Sequence, residues 1–372
     1  MPAELPNEQS IQKTTELNAK RLLELQAILV ADTPLIDVRA EIEFAAGAFP
    51  FARNYPILND KEREQVGICY KQNGPLAAEQ LGHQLVSGTG RESRIRGWCD
   101  FIDQNPGTQI YCFRGGLRST LAQQWLQEQG YQVPKIEGGY KALRRSLLSV
   151  FDELPDLIIV AGKTGTGKTE FLARVANKVD LEMRANHRGS AFGKHLTEQP
   201  AQIDFENNVA LDFLKVKGSP VLIEDESRLI GRINLPLPLQ AKMSEAPVIL
   251  LHDSIENRVE RIKTEYISDQ WQALFLQSDS EEGAHQALEI LFTQSLNAIK
   301  KRLGPERHEK LSGMMDDAFG AKATDDFAAH CGWIRALLEE YYDPMYEYQL
   351  TKKQVRIIAE GDQDTLMKYA QN

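Results

Sequence analysis

Two stretches of this chain combine residue types and spacing that point to chemistry: Cys112-Phe113-Arg114-Gly115-Gly116-Leu117-Arg118 and Gly162-Lys163-Thr164-Gly165-Thr166-Gly167-Lys168-Thr169. In the first, a cysteine precedes a Gly-Gly turn and two arginines. The thiolate is the reactive form of cysteine, and it is favoured by cations and by the positive end of a helix. Gly115 and Gly116 let backbone N–H groups turn inward, and Arg114 and Arg118 add charge. Such a loop would hold Cys112 as a nucleophile and cradle an incoming oxyanion. A core cysteine requires neither the turn nor the paired arginines. Cys69, Cys99 and Cys331 have no such surroundings and read as packing thiols, Cys99 beside Trp98.

The second stretch satisfies G-x-x-x-x-G-K-[ST], follows the apolar run Leu157-Ile158-Ile159-Val160 and opens a helical pattern, as the mechanism of that loop requires. Gly162, Thr164, Gly165 and Gly167 would let main-chain N–H groups wrap a diphosphate. Lys168 would neutralise its terminal phosphate, and Thr169 is placed for Mg²⁺ if a metal is used. Val221-Leu222-Ile223-Glu224-Asp225-Glu226 reads as a second, metal-side strand, with Glu224 or Asp225 to hold Mg²⁺ or position water; a solvated acidic strand end is the alternative. His187-Arg188-Gly189-Ser190-Ala191-Phe192-Gly193 places His187, Arg188 and Ser190 around a turn suited to a phosphate or a substrate loop. Arg228 ends the run Glu224-Asp225-Glu226-Ser227-Arg228.

These residues need a scaffold, and the periodicity supplies one. A helix is expected over about 10–30, then strands at Leu35-Ile36-Asp37-Val38 and Gln109-Ile110-Tyr111-Cys112, and a helix from Ser119 to Gln129 stopped by Gly130. Cys112 then lies at a strand-to-helix junction, where open α/β sheets bind ligands. A boundary near 150 separates residues 1–150 from 151–372. Strands at Leu157–Val160, Val221–Glu224 and Pro247–Leu251 begin the second part, and from Asp253 onward the pattern is mostly helical, with segments at Glu256–Tyr266, Gln286–Leu303 and Trp333–Tyr342. The expected fold class is α/β: an N-terminal α/β domain, then a P-loop α/β domain with a helical C-terminal extension.

With 372 residues and 42% hydrophobic content, the chain can bury two cores. A net charge of −10 argues against indiscriminate nucleic-acid binding, yet a local basic face survives on an acidic protein because screening shortens the reach of distant charges. Arg144, Arg145, Lys300-Lys301-Arg302 and Lys352-Lys353 are candidate RNA contacts, against the plainer reading as solvated faces. Tyr341, Tyr342, Tyr346 and Tyr348 could stack on bases or line an apolar pocket, against the plainer reading as core. The polar start of the chain lacks the apolar stretch of a secretory signal, and no later apolar run has the length of a membrane span. A cytoplasmic protein without a membrane partner is expected. The four cysteines show no metal-ligand spacing.

Residues 1–150 resemble a rhodanese (sulfurtransferase) domain through Leu35-Ile36-Asp37-Val38-Arg39, Gly47-Ala48-Phe49-Pro50 with Ala52, Asn54 and Pro56, the Cys112 loop, and Ile136-Glu137-Gly138-Gly139-Tyr140. In that family the loop cysteine carries a persulfide, which here falls on Cys112. Five residues separate Cys112 from Arg118, one more than is usual in rhodaneses and the same as in cysteine phosphatases, whose wider cradle fits a tetrahedral oxyanion. Two rivals follow. One is a rhodanese-fold cysteine phosphatase or arsenate reductase with a nucleotide-binding regulatory domain; the other is a docking platform beside an ATPase. The order of the Cys112 loop, the P-loop, the His187–Gly193 run, the Glu224–Arg228 run and Glu339-Glu340-Tyr341-Tyr342-Asp343-Pro344-Met345-Tyr346 resembles the tRNA 2-selenouridine synthase family over nearly the whole chain. That resemblance implies a transferase acting on tRNA with a wobble 2-thiouridine, which passes through an S-geranyl intermediate made from geranyl diphosphate and takes selenium from selenophosphate. Cys112, with Arg114 and Arg118, would carry the selenium above the Gly115-Gly116 oxyanion loop. The P-loop would hold the diphosphate of geranyl diphosphate, and no tightly bound cofactor is implied.

Overall fold

The computed structural model describes residues 8–278, 280–321 and 327–370. The chain divides into two compact units, one formed by residues 1–153 with 201–215 and the other by residues 154–200 with 216–372. A single break near 150 would give the helix Gln202–Lys215 to the second unit. Instead Asp204 accepts a hydrogen bond from Ala48 N (2.7 Å), and Asn207 both accepts from Arg144 (2.8 Å) and donates to Ala48 O (2.8 Å), which ties it into the first. The helix's apolar stripe carries no label for the core it joins.

In the first unit, β1 (Leu35–Asp37), β2 (Ala52–Asn54) and β3 (Gln109–Tyr111) form a parallel sheet in the order β2-β1-β3. All of β1 is buried, consistent with a parallel sheet covered on both faces. Ile36, Val38, Trp98, Ile110 and Leu126 build the core around it. Asp37 and Arg39 form a buried ion pair (2.6 Å), and the guanidinium also lies 3.9 Å from the centre of the Tyr140 ring. The helix Asp60–Leu85 breaks at Gly74, where φ is +84°, and restarts at Pro75, so its two arms fold into a wall.

The second unit contains β4 (Leu157–Gly162), β5 (Lys178–Val179), β6 (Val221–Glu224), the hairpin β7 (Leu229–Ile230) and β8 (Ile233–Asn234), β9 (Val248–Leu251) and β10 (Ile357–Gly361). Five of these strands make a parallel sheet in the order β10-β9-β4-β6-β5, with β4 at its centre and the P-loop leaving its C-terminal end. The strand β10 is absent from the sequence reading, which leaves everything past Asp253 mostly helical. As an edge strand it alternates exposed Ile358 and Glu360 with half-buried neighbours, so it lacks the continuous apolar run that marks the inner strands. The helices between Ile255 and Thr351 build a separate core through Ile267, Leu288, Phe292, Leu296, Trp333 and Ile334. Among the described residues, no helix is long and apolar enough to cross a membrane.

Candidate active sites

Cys112 follows directly on β3 and is 3% exposed. Its sulfur lies 3.2 Å from the hydroxyl of the fully buried Ser119, which itself reaches Gly116 O at 3.1 Å. The loop's shape comes from a clamp behind it. Tyr140 N donates to Cys112 O (2.9 Å) and Lys141 N to Phe113 O (3.1 Å). Gly139, at φ +57°, passes so close that a Cβ there would sit 2.1 Å from Cys112 O. Gly115, at φ +66°, would in the same way meet Gly138 N at 2.7 Å. The Glu137-Gly138-Gly139-Tyr140 run is therefore the mould of the loop, a position only glycine fills without displacing backbone.

The helix after the loop starts at Leu117 rather than Ser119, with Gly116 as its N-cap. Arg118 consequently sits in the first helical turn and pairs with Glu43 (2.6 Å and 3.2 Å), which also binds Arg63 (3.1 Å). Burial alone would raise the Glu43 carboxyl; the Arg118 bond outweighs it and holds the group below its ordinary range. Arg114 is exposed, its guanidinium 5.9 Å from the Phe113 ring. Beside the loop opens a cavity of about 1040 Å³, walled by both arms of the broken helix and by Phe113, Leu117 and Arg118.

In the second unit, Gly162, Thr164, Gly165, Gly167, Lys168 and Thr169 all line one cavity of about 650 Å³. Gly167 caps the helix Lys168–Ala173 in the left-handed region, φ +80°. Lys168 Nζ donates to Gly162 O (3.1 Å), and the Thr169 hydroxyl donates to Glu182 (3.3 Å). Two arginines missed in the sequence brace this loop. Arg258, buried, donates to Thr164 O (2.9 Å) and grips Asp343 with two bonds (2.9 Å and 2.5 Å). Arg261 donates to Gly165 O (2.6 Å) and pairs with Asp253 (2.9 Å) and Glu170 (3.0 Å). Both sit on the helix Ile255–Ile262, and their i, i+3 spacing on one face is the signal that would have found them.

The acidic run is corrected by the structure. Glu224 is fully buried and accepts from Leu181 N (2.8 Å); burial, then the nearby Asp180, push its carboxyl well above the ordinary range. It fastens β6 to the turn at Leu181 and does not face the cavity, so the metal-side role falls away. Asp225 lines the cavity but is held by Lys353 (2.6 Å). Arg228 is exposed and outside the lining. Glu226, to which the sequence reading gave no role, faces the cavity with Glu182, and the two carboxyls are hydrogen-bonded to each other; burial first, then Glu182, raise Glu226 well above its usual value. Among the described residues no group of three or more His, Cys, Asp or Glu side chains is spaced to hold a metal ion.

Arg188 and Ser190 line the cavity, Arg188 lying 4.8 Å from the Tyr266 ring centre. His187 does not: it is buried, and burial, then Arg188, lower its pKa. His195 takes the place foreseen for it. Tyr266, Tyr341 and Tyr342 reach the cavity from two π-helical turns, Lys263–Ser268 and Leu338–Tyr342, a distortion that recurs at functional sites. Of the candidate RNA contacts, Arg302 and Lys353 line this cavity, whereas Arg144 is engaged by Asn207 and Glu206 in the first unit. Tyr346 also lines it; Tyr348 is 64% exposed and does not.

A family model described as the tRNA 2-selenouridine synthase AAA domain matches residues 155–372. Over 352 residues the chain is 46% identical to a tRNA 2-selenouridine synthase of Marinobacter nauticus, covering 93% of this chain and 96% of that protein. It is 47% identical over 351 residues to the protein of the same name from Pseudomonas syringae pv. syringae (92% and 96% covered). With the Shewanella halifaxensis protein of that name it shares 43% over 363 residues (96% and 99% covered).

Proposed function

Because the chain belongs to the tRNA 2-selenouridine synthase family, its second unit being the AAA-type P-loop domain, we propose that it exchanges the sulfur of wobble 2-thiouridine in tRNA for selenium in two steps. In the first, the thione sulfur attacks C1 of geranyl diphosphate. The S–C bond forms, the C–O bond breaks with its electron pair on diphosphate, and the nucleoside loses its N3 proton. In the second, a selenium nucleophile derived from selenophosphate adds at C2 of the base and geranylthiolate departs. Water completes the balance by converting the phosphorus of selenophosphate to phosphate.

One observation carries this reading: a single chain holds a phosphate-type cavity rich in cations and, separately, a cysteine loop that opens on an apolar cavity. The first step needs a stabilised diphosphate leaving group, which backbone N–H groups and Lys168 supply without hydrolysis of ATP. The second needs a group that holds the selenium donor, which is the Cys112 loop in this reading: Cys112 positions selenophosphate, whose selenium stays bonded to phosphorus, at the selenide level, until it attacks C2. The first unit is then a rhodanese-like domain, supported by the parallel β2-β1-β3 sheet and the position of Cys112 at the C-terminal end of β3. A cysteine phosphatase is not favoured, since it gives the P-loop cavity no part in the chemistry and the full-length relatives carry a different name.

The test is to incubate the protein with thiolated tRNA, geranyl diphosphate and selenophosphate, and to weigh the wobble nucleoside after digestion. The S-geranyl and 2-seleno nucleosides are expected in turn. Cys112→Ser should stop at the S-geranyl product; selenation retained by that variant would overturn the role of Cys112, and robust ATP turnover by the wild type would overturn that of the P-loop.

A further inference from the structure

The cavity beside Cys112 is larger and more apolar than a selenophosphate site requires. Val86 and Trp125 lie in its floor, Val66 and Ala78 come from the two arms of the helix broken at Gly74, and Phe113 and Leu117 belong to the cysteine loop. Leu117 and, further out, Ile68 are each 49% exposed. An apolar concavity of about 1040 Å³ left open to water forgoes the contacts that fill an ordinary core, and in proteins such hollows take apolar ligands. Arg118 of the loop and Arg63 of the helix flank Glu43, and the other charged residues on the helix arms, Glu64, Lys71 and Glu79, are exposed. The buried part of the wall is thus apolar, and a cluster of two arginines and one carboxylate lies where it meets the cysteine loop.

We propose that this cavity binds the isoprenoid chain of the S-geranylated nucleoside while selenium is installed. The proposal rests on the two-step reading above. In the second step the C2–S bond breaks, its electron pair leaves on geranylthiolate, and that sulfur takes a proton. C2 must therefore come within bonding distance of the selenium of selenophosphate seated in the Cys112 loop, and the chain attached to the departing sulfur must lie beside the same loop. The tRNA and selenophosphate are polar or anionic, matching the arginines. The ten-carbon chain is the one extended aliphatic part of either substrate, and the cavity is the apolar space that adjoins the loop. Holding the chain also selects alkylated over unalkylated thiouridine, because each buried methylene strengthens binding about fourfold.

Two measurements test this together. Calorimetric titration of the whole protein with S-geranyl-2-thiouridine and S-methyl-2-thiouridine nucleosides should give at least tenfold tighter binding of the geranyl compound, with Cys112 intact or replaced by serine. Val66→Phe, which extends a half-buried side chain into the space, should erase that preference. In turnover, wild type should selenate pre-formed S-geranyl tRNA at least tenfold more efficiently, by kcat/KM, than S-dimethylallyl tRNA. Val66→Phe should lower the first value tenfold, change the second less than twofold, and leave geranyl transfer to thiolated tRNA unchanged. Chain-length-independent binding, or equal loss on both substrates, would overturn the cavity assignment. Tight, chain-dependent binding that Val66→Phe abolishes, in a protein that selenates neither substrate, would uphold the isoprenoid site and overturn the reaction reading instead.

Discussion

Around the P-loop the walls are charged: Lys168, Arg188, Arg261, Arg302 and Lys353 face Glu182, Asp225 and Glu226 across the cavity. Around the Cys112 loop the buried walls are aliphatic and aromatic, with Arg118 and Arg63 paired to Glu43 and the charges of the helix arms exposed. The supports differ in the same sense. The P-loop is braced by guanidinium groups reaching its carbonyls, whereas the cysteine loop is pressed into shape by backbone hydrogen bonds and the close passage of Gly138 and Gly139. On the proposed reading, a loop that holds a changing number of phosphate charges is fixed by side chains that carry charge themselves. A loop that presents one sulfur beside an apolar space is fixed by main chain, which adds no charge to the site.

The comparison breaks most visibly at Lys168. If the two cavities serve separate steps, Lys168→Ala should reduce geranyl transfer by a factor of about 10² to 10³, the usual cost of removing one preorganised charge stabiliser. Selenation of tRNA supplied already geranylated should be untouched. Equal loss in both half-reactions would mean that the cavities do not divide the work.

Next in size is the brace. Removing one partner of a buried ion pair leaves the other uncompensated and costs about 3–5 kcal/mol. Arg258→Ala, which leaves Asp343 with only the longer Lys163 contact (3.4 Å) and frees Thr164 O, should cost up to that amount, lower the melting of the second unit and weaken diphosphate binding, while the first unit melts as before. Calorimetric unfolding of the full chain separates these outcomes. A single transition shifted as a whole would show that the units do not unfold independently.

These two variants also mark what the sequence disclosed. Lys168 was legible because the P-loop is a local pattern: strand, glycines, lysine and helix in one stretch, whose six named residues line one cavity. Arg258 was not, since a helix of alternating charge looks the same whether its arginines face water or grip a loop more than ninety positions earlier. The same blindness misassigned Glu224 and His187. Each lies in a run of polar residues, and only the register of β6 and of the turn after Asn186 decides which of them points inward. Along the fold, continuous apolar runs gave the inner strands, while the edge strand β10 and the return of Gln202–Lys215 to the first unit depend on long-range pairing that no local window contains.

On the cysteine side, the corresponding small substitution is Gly139→Ala. Its positive φ and the 2.1 Å approach to Cys112 O require backbone movement, with a cost of about 1–3 kcal/mol for the strained conformation. Selenation should fall and geranyl transfer should not. A substitution to alanine at Gly107, equally at positive φ but with open space around it and outside the cavity, is the control: it should cost stability without singling out selenation.

The smallest effect expected is a pH dependence confined to the charged cavity. Glu226 has its carboxyl raised well above the ordinary glutamate value of 4.5, by burial and then by the charge of Glu182. A group whose pKa is higher in the fold than in the unfolded chain contributes its full stability below the unfolded value, and that contribution is lost as pH climbs through the folded one. The wild-type second unit should thus lose stability on the alkaline side as the shared proton leaves the Glu182–Glu226 pair. Glu226→Gln cannot ionise and offers Glu182 a permanent donor. The two proteins should melt together near pH 5 and diverge as pH rises, with the variant the more stable. No such divergence is expected in the first unit, where Glu43 is lowered by Arg118 and shifts stability in the opposite sense, towards loss in acid. Parallel melting of wild type and Glu226→Gln from pH 5 to 9 would show that Glu226 is ionised throughout, its charge balanced by Lys168, and the charged cavity would then hold one more fixed anion against the diphosphate than the pairing with Glu182 implies.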